Sequence, residues 1–174
     1  MRPSLFSLSS SKVSKSLLVE ILKLKNSYWK HSLKSQKTWY KKNIKNTDIH
    51  NCLIFKTKLI GYTCLRKRKF SILNNNYNYL LFDTLLIHYK FRKKGFGNLI
   101  MSLNNQVIRK KKLPSFLITT NKNVFFYEKN GWKVCHIKYL FKNHKIKRNT
   151  ILMSFNYKKG KISKNKNLSF IYET

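Results

Sequence analysis

One segment constrains the fold more than any other. Residues 79–88 make a strongly apolar run, bounded upstream by the Asn-rich stretch 74–78 and downstream by Arg92-Lys93-Lys94-Gly95-Phe96-Gly97. Immediately afterwards Leu99, Ile100, Leu103 and Val107 recur at helical spacing. That stretch ends in the cations 109–112 and is stopped by Pro114. A short apolar run closed by turn residues at both ends reads as a buried central strand. The unit is therefore strand, Gly-rich turn, amphipathic helix. The cationic last turn suits the helix dipole, and proline prevents continuation.

The turn has a chemical reading of its own. Gly95 and Gly97 carry no Cβ, so backbone N–H groups can close on an anion. They sit where a helix begins, and its free N–H groups and positive dipole end face the same space. Arg92, Lys93 and Lys94 add charge. Together these groups would make a cradle for a diphosphate; the alternative is an ordinary strand-to-helix turn that uses Gly for its geometry. It is not a Walker loop, because no GK[ST] follows. It is not a dinucleotide fingerprint either, because the third glycine and the later acid are missing.

The remaining elements follow from periodicity and turn chemistry. A first strand is expected over 4–8. Ser9, Ser10 and Ser11 offer N-caps for a helix over 12–29, and a weaker helix is expected over 35–43. An antiparallel hairpin spans 51–66, turning at 56–58. A strand over 115–119, a helix over 121–130 stopped by Asn130-Gly131, and closing strands over 132–141 and 150–156 complete the order. The Ser-rich, acid-free stretch 1–16 also fits an organelle transit segment. The apolar spacing that runs on into the helix favours the strand. The expected organisation is one domain over 1–156 with a basic tail over 157–174.

Composition limits the chemistry. Among 174 residues, 38 are Lys or Arg and 5 are Asp or Glu, a net charge of +33. The 42% hydrophobic and 14% aromatic content is too high for a disordered basic tail. No apolar run approaches the roughly 20 residues of a membrane-spanning helix. Any acidic role must fall to Glu20, Asp48, Asp83, Glu128 or Glu173, which leaves no room for a carboxylate-rich metal site. Cys52, Cys64 and Cys135 form no CxxC pair, and the histidines form no metal-spaced cluster, so no metal is expected. Reduced thiols point to the cytoplasm. The charge fits nucleic-acid binding, but only six residues are Arg, there is no Ala, and the Lys and Asn are spread along the chain. That pattern favours compositional drift, so nucleic acid is a possible partner and not the favoured one.

The stretch from Ile87 to Gly97, Ile-His-Tyr-Lys-Phe-Arg-Lys-Lys-Gly-Phe-Gly, resembles the acetyl-CoA signature of the GNAT superfamily of N-acetyltransferases, a hydrophobic strand followed by Q/R-x-x-G-x-G/A. Downstream, Val124 to Trp132 (Val-Phe-Phe-Tyr-Glu-Lys-Asn-Gly-Trp) is similar to the family's FYxxxGF segment, with Trp132 for the usual Phe. Tyr89 stands where the family often has Pro. The resemblance covers about 5–156 and is specific over 80–132. It implies an α/β (α+β) fold with a mixed, mostly antiparallel sheet of about seven strands and about four helices.

The resemblance also implies roles. Backbone groups of Leu85, Leu86 and Ile87 would pair with the pantetheine arm of acetyl-CoA as an added strand does. N–H groups of Arg92, Lys93, Lys94, Gly95, Phe96, Gly97 and Asn98 would hold the pyrophosphate. Tyr127 matches the tyrosine that protonates the departing thiolate; its alternative is an aromatic packed on the sheet. Asp83 stands where some members carry a base; the alternative is a local hydrogen bond. His88 competes for that role from the strand end, Glu128 is expected to face solvent, and a water chain would serve without a dedicated base.

Two functions are thus open. The first is an acetyl-CoA-dependent N-acetyltransferase acting on a primary amine by direct attack in a ternary complex. Its acceptor would be a small molecule, a nucleotide-linked amino sugar or a protein amine. An anionic acceptor suits the charge and a polyamine does not. The second is a basic RNA- or ribosome-associated binding protein on the same fold. The diphosphate cradle and Tyr127 together favour the first.

Overall fold

The computed structural model describes residues 2–72, 75–136, 139–142, 149–157 and 168–171. Their backbone divides into two compact units. One comprises Met1–Arg66 and Asp83–Val107, the other Lys67–Phe82 and Ile108–Glu173. The division falls inside two long strands and one helix, each of which contributes residues to both units.

In the first unit, β1 (Ser4–Ser9) pairs antiparallel with β2 (Ile49–Phe55), and β2 with β3 (Lys58–Ile72). β3 neighbours β4 (Asn75–Ile87). The first strand thus takes the place expected for it. Helix α1 (Lys15–Asn26) is capped by Ser14, whose hydroxyl accepts from the Leu17 N–H at 3.2 Å. The earlier serines, Ser10–Lys12, form a single 3-10 turn instead. Helix α2 (Leu33–Asn43) is capped by Ser32. α1 buries Ile21 and Leu24 against Cys52, Tyr62, Cys64 and Leu86. A second cluster joins Leu53, Ile60, Ile87 and Ile100, the last from α3 (Phe96–Lys111). Gly61 is required here: a Cβ would lie 2.9 Å from the Ile87 side chain and 3.1 Å from Leu53.

In the second unit, β4 runs parallel to β5 (Ser115–Thr120), a ladder that covers Leu80↔Ser115 and Leu81↔Phe116. β5 pairs antiparallel with β8 (Thr150–Phe155), and β8 with the short β6 (Lys133–Val134). Helix α4 (Asn121–Lys129) lies between β5 and β6 in sequence. β7 (Tyr139–Lys142) pairs with β9 (Leu168–Ile171), which also pairs with β3. Phe70, Tyr79, Phe116 and Phe170 meet as tilted or edge-on aromatic pairs in this core.

The described part of the Asn-rich loop, from Asn75 on, is strand. The closing strand expected over 132–141 forms instead as β6 over Lys133–Val134 and β7 over Tyr139–Lys142. Within 157–174, the stretch read as a basic tail, β9 pairs with β3 and Phe170 is fully buried. A Phe ring gains more from the core than a flexible end gains from solvation. Apart from Tyr157, the rest of that stretch lies outside the described residues. Nine strands and four α-helices form among the described residues, a mixed and mostly antiparallel architecture. Cys52 and Cys64 are free thiols pushed up to about 12 by burial, which makes them inert packing groups.

Candidate active site

The C-terminal end of β4 is fixed before the Gly-rich turn begins. Leu86 and Ile87 are buried, Leu85 is partly so, and the His88 N–H donates to the Ile60 carbonyl at 2.8 Å. Tyr89–Phe91 make a 3-10 turn whose Phe91 ring packs edge-on to Phe55 and tilted against Phe96. The turn therefore hangs from two partly buried aromatics, Phe91 and Phe96.

Between them the backbone takes two left-handed residues, Lys93 at φ 59° and Gly95 at φ 81°. Alternation of this kind turns successive N–H groups toward one concavity. Arg92, Lys93, Lys94 and Gly95 are exposed, and a Cβ at Gly95 would meet nothing within 4 Å. The Leu99 N–H closes on the Gly95 carbonyl at 3.1 Å, so the N–H groups of Phe96 and Gly97 precede the helix's own ladder. Asn98 lies exposed in the same first turn, which holds no acid. This turn is where the sequence reading places the diphosphate cradle, and its two left-handed residues stand at the start of α3.

A residue the sequence did not single out organises this end of the strand. The Tyr28 hydroxyl, just past α1, donates to the Ile87 carbonyl and accepts from the Ile87 N–H at 3.1 Å. The Arg92 Nε–H donates to that hydroxyl at 3.1 Å and to the Ile87 carbonyl at 3.3 Å. The guanidinium also lies 4.5 Å from the Tyr28 ring centroid. Sequence spacing offered only an apolar helix position at Tyr28.

Asp83 lines a cleft of about 320 Å³ with Thr84, Lys25, Trp29, His31, Ser35, Gln36 and Trp39. Its carboxylate pairs with Arg66 at 3.4 Å and accepts from the Thr84 hydroxyl at 3.2 Å. Arg66 is 1% exposed, donates to the Asn43 carbonyl at 3.0 Å and lies 5.5 Å from the Trp39 centroid. Asp83 thus makes a local hydrogen bond, to the adjacent Thr84, and a longer-range ion pair as well. It is the charge partner of a buried guanidinium, with 17% of its side chain exposed. Lys25 lines the same cleft, with Nζ 3.9 Å from the Trp39 centroid and 5.9 Å from that of Trp29. Burial, foremost, lowers its pKa, opposed by Asp83. Burial, foremost, lowers the His88 pKa, followed by the cations Lys90, Lys58 and Arg92.

Tyr127 belongs to the second unit, on α4. Its ring stands edge-on to Phe82 at 6.1 Å and to Trp132 at 6.3 Å, and burial pushes its phenol up to about 12. Its carbonyl accepts from the N–H groups of Asn130 at 3.0 Å and Trp132 at 3.1 Å. Gly131 makes that reversal at φ 82°, and Trp132 is buried where the usual Phe would be. Glu128 is exposed, as expected. Among the described residues, no three His, Cys, Asp or Glu gather as a metal site, and no helix is long and apolar enough to cross a membrane.

The same path of strands and helices is found in solved structures. Escherichia coli ElaA superposes with a TM-score of 0.65 at 14% identity, over 88% of this chain and 99% of that one. This is the GNAT fold. An acyl-CoA N-acyltransferase from Pseudomonas aeruginosa gives the same values. An aminoglycoside 6'-N-acetyltransferase complexed with coenzyme A gives a TM-score of 0.63 at 12% identity, over 86% of this chain and 96% of that one. No family model and no curated protein sequence matches the chain. The GNAT likeness is therefore carried by the backbone path together with the two short motifs.

Proposed function

We propose that the chain is an acetyl-CoA-dependent N-acetyltransferase that moves an acetyl group to a primary amine by direct attack in a ternary complex. The observation that carries this reading is the turn between β4 and α3. Left-handed Lys93 and Gly95 lead into a helix start with no acid in its first turn, beside three cations. The aminoglycoside 6'-N-acetyltransferase of the same fold is complexed with coenzyme A, which supports acetyl-CoA as the co-substrate.

In this reading Arg92, Lys93, Lys94, Gly95, Phe96, Gly97 and Asn98 hold the pyrophosphate. Backbone groups of Leu85, Leu86 and Ile87 receive the pantetheine arm. The neutral amine nitrogen attacks the thioester carbonyl carbon, so a C–N bond forms as the C–S bond breaks. The amine proton passes to Asp83, directly or through water. The departing thiolate takes a proton from the Tyr127 hydroxyl, which burial keeps protonated through neutral pH. Most of the acceleration comes from holding two substrates in line.

A thermal-shift titration tests the reading. Acetyl-CoA at about 100 times its dissociation constant adds about 2.7 kcal/mol of stability, and Gly97→Trp abolishes that gain by filling the turn. No shift at millimolar acetyl-CoA refutes cofactor use, and a shift retained in Gly97→Trp refutes the placement of the pyrophosphate.

A further inference from the structure

The cleft beside Asp83 holds an unbalanced charge. Arg66 and Asp83 neutralise each other at 3.4 Å. That leaves Lys25, which is 7% exposed and lines the cleft from α1. Among the described residues its ammonium has neither an ion pair nor a hydrogen bond and lies over the Trp39 ring. α1 turns Lys25 inward because it follows Ile21 by one helical turn on the buried face. An ammonium in so narrow a cleft, with most of its side chain out of water, gains from an anion that joins it. Trp29 and Trp39 offer apolar walls, and about 320 Å³ is the lower end of small-molecule pockets.

We infer that this cleft takes the acceptor as a small zwitterion, an amine whose own carboxylate or phosphate becomes the counter-ion of Lys25 while its ammonium end lies toward Asp83. Lys25 is then the residue that sets acceptor class. This rests on the acetyl-transfer reading for its function, but the anion site itself does not. A cationic polyamine would meet Lys25 with like charge, and a neutral amine would leave it unpaired, so both are disfavoured by the same group.

Matched acceptor pairs test it. Phenylalanine against phenylalaninamide, and phosphoethanolamine against ethanolamine, are compared by acetyl-CoA-dependent thiol release. The wild-type protein prefers the acidic member of at least one pair by about tenfold or more in kcat/KM, and which pair responds tells carboxylate from phosphate. Lys25→Met brings that preference to within about twofold, and Lys25→Arg retains it. Lys25→Gln gives the same reading if the apolar variant fails to fold. Equal rates for acid and amide, or a preference that survives Lys25→Met, overturn the inference. Calorimetric titration of the acidic amines without acetyl-CoA separates the two claims. Binding lost in Lys25→Met but never followed by thiol release keeps the anion site and overturns acetyl transfer. Thiol release with neutral amines alone keeps acetyl transfer and overturns the anion site.

Discussion

The Tyr28 hydroxyl holds both polar groups of Ile87, its N–H at 3.1 Å and its carbonyl. Ile87 is the last residue of β4, and its backbone groups are among those proposed to receive the pantetheine arm. The free protein therefore closes the end of this strand with a phenol from α1's C-terminal side, and Arg92 reinforces the closure at 3.1 Å.

Removing that hydroxyl should change stability and cofactor affinity in opposite directions. Tyr28→Phe keeps the ring under Arg92 and loses the hydrogen bonds, a cost of about 1 kcal/mol. It also frees the Ile87 peptide groups, so acetyl-CoA is expected to bind about fivefold tighter. Thermal melts and calorimetry measure the two effects. Weaker binding would instead make Tyr28 the residue that positions Arg92 for the cofactor.

Asp83→Asn should destabilise by about 3 kcal/mol, because it leaves the Arg66 guanidinium buried without its charge partner. For a chain of this size the melting temperature falls by roughly 6 to 12 °C. The double variant Arg66→Met with Asp83→Leu should lose less than the single one, since an apolar pair needs no partner. Equal losses would show that the ion pair is incidental.

His50 makes stability pH-dependent. It is fully buried, with Nδ1 2.7 Å from the Tyr62 hydroxyl and Nε2 2.7 Å from the Ser10 hydroxyl. Burial, foremost, lowers its pKa to about 4. The unfolded chain then binds more protons than the folded one between about pH 6.5 and 4. Stability is full above that window and falls by about 3 kcal/mol as pH drops through it. Melts from pH 7 to 4 should show the decline, and His50→Gln should flatten it.

Tyr127→Phe should lower kcat by about 100-fold while acetyl-CoA affinity stays within about twofold, the signature of a lost general acid. Steady-state rates and calorimetry on one preparation give both values. Unchanged turnover would leave Tyr127 as a packing residue against Phe82 and Trp132.

What could be read in advance was local. The strand, the glycine turn and α3 occupy one continuous stretch, and their signals are spacing, φ tolerance and helix-end chemistry. Asp83 was legible as a residue but not in its setting, because Arg66 lies 17 positions away and carries no periodic mark. Tyr28 meets Ile87 across 59 positions, and β9 meets β3 near the end of the chain, so neither contact leaves a sequence pattern.

The sequence alone determined that the chain has a core, that a Gly-rich cationic turn joins an apolar strand to an amphipathic helix, and that five acids leave few carboxylates for chemistry. Only the tertiary structure decided which charges cancel. Net charge sums over the whole chain and is blind to burial. Folding neutralises Asp83 with Arg66, leaves Lys25 unbalanced in a cleft, and keeps Lys93 and Lys94 in water beside the turn. A cation's effect depends on its desolvation and its partners, and both are set by residues distant in sequence.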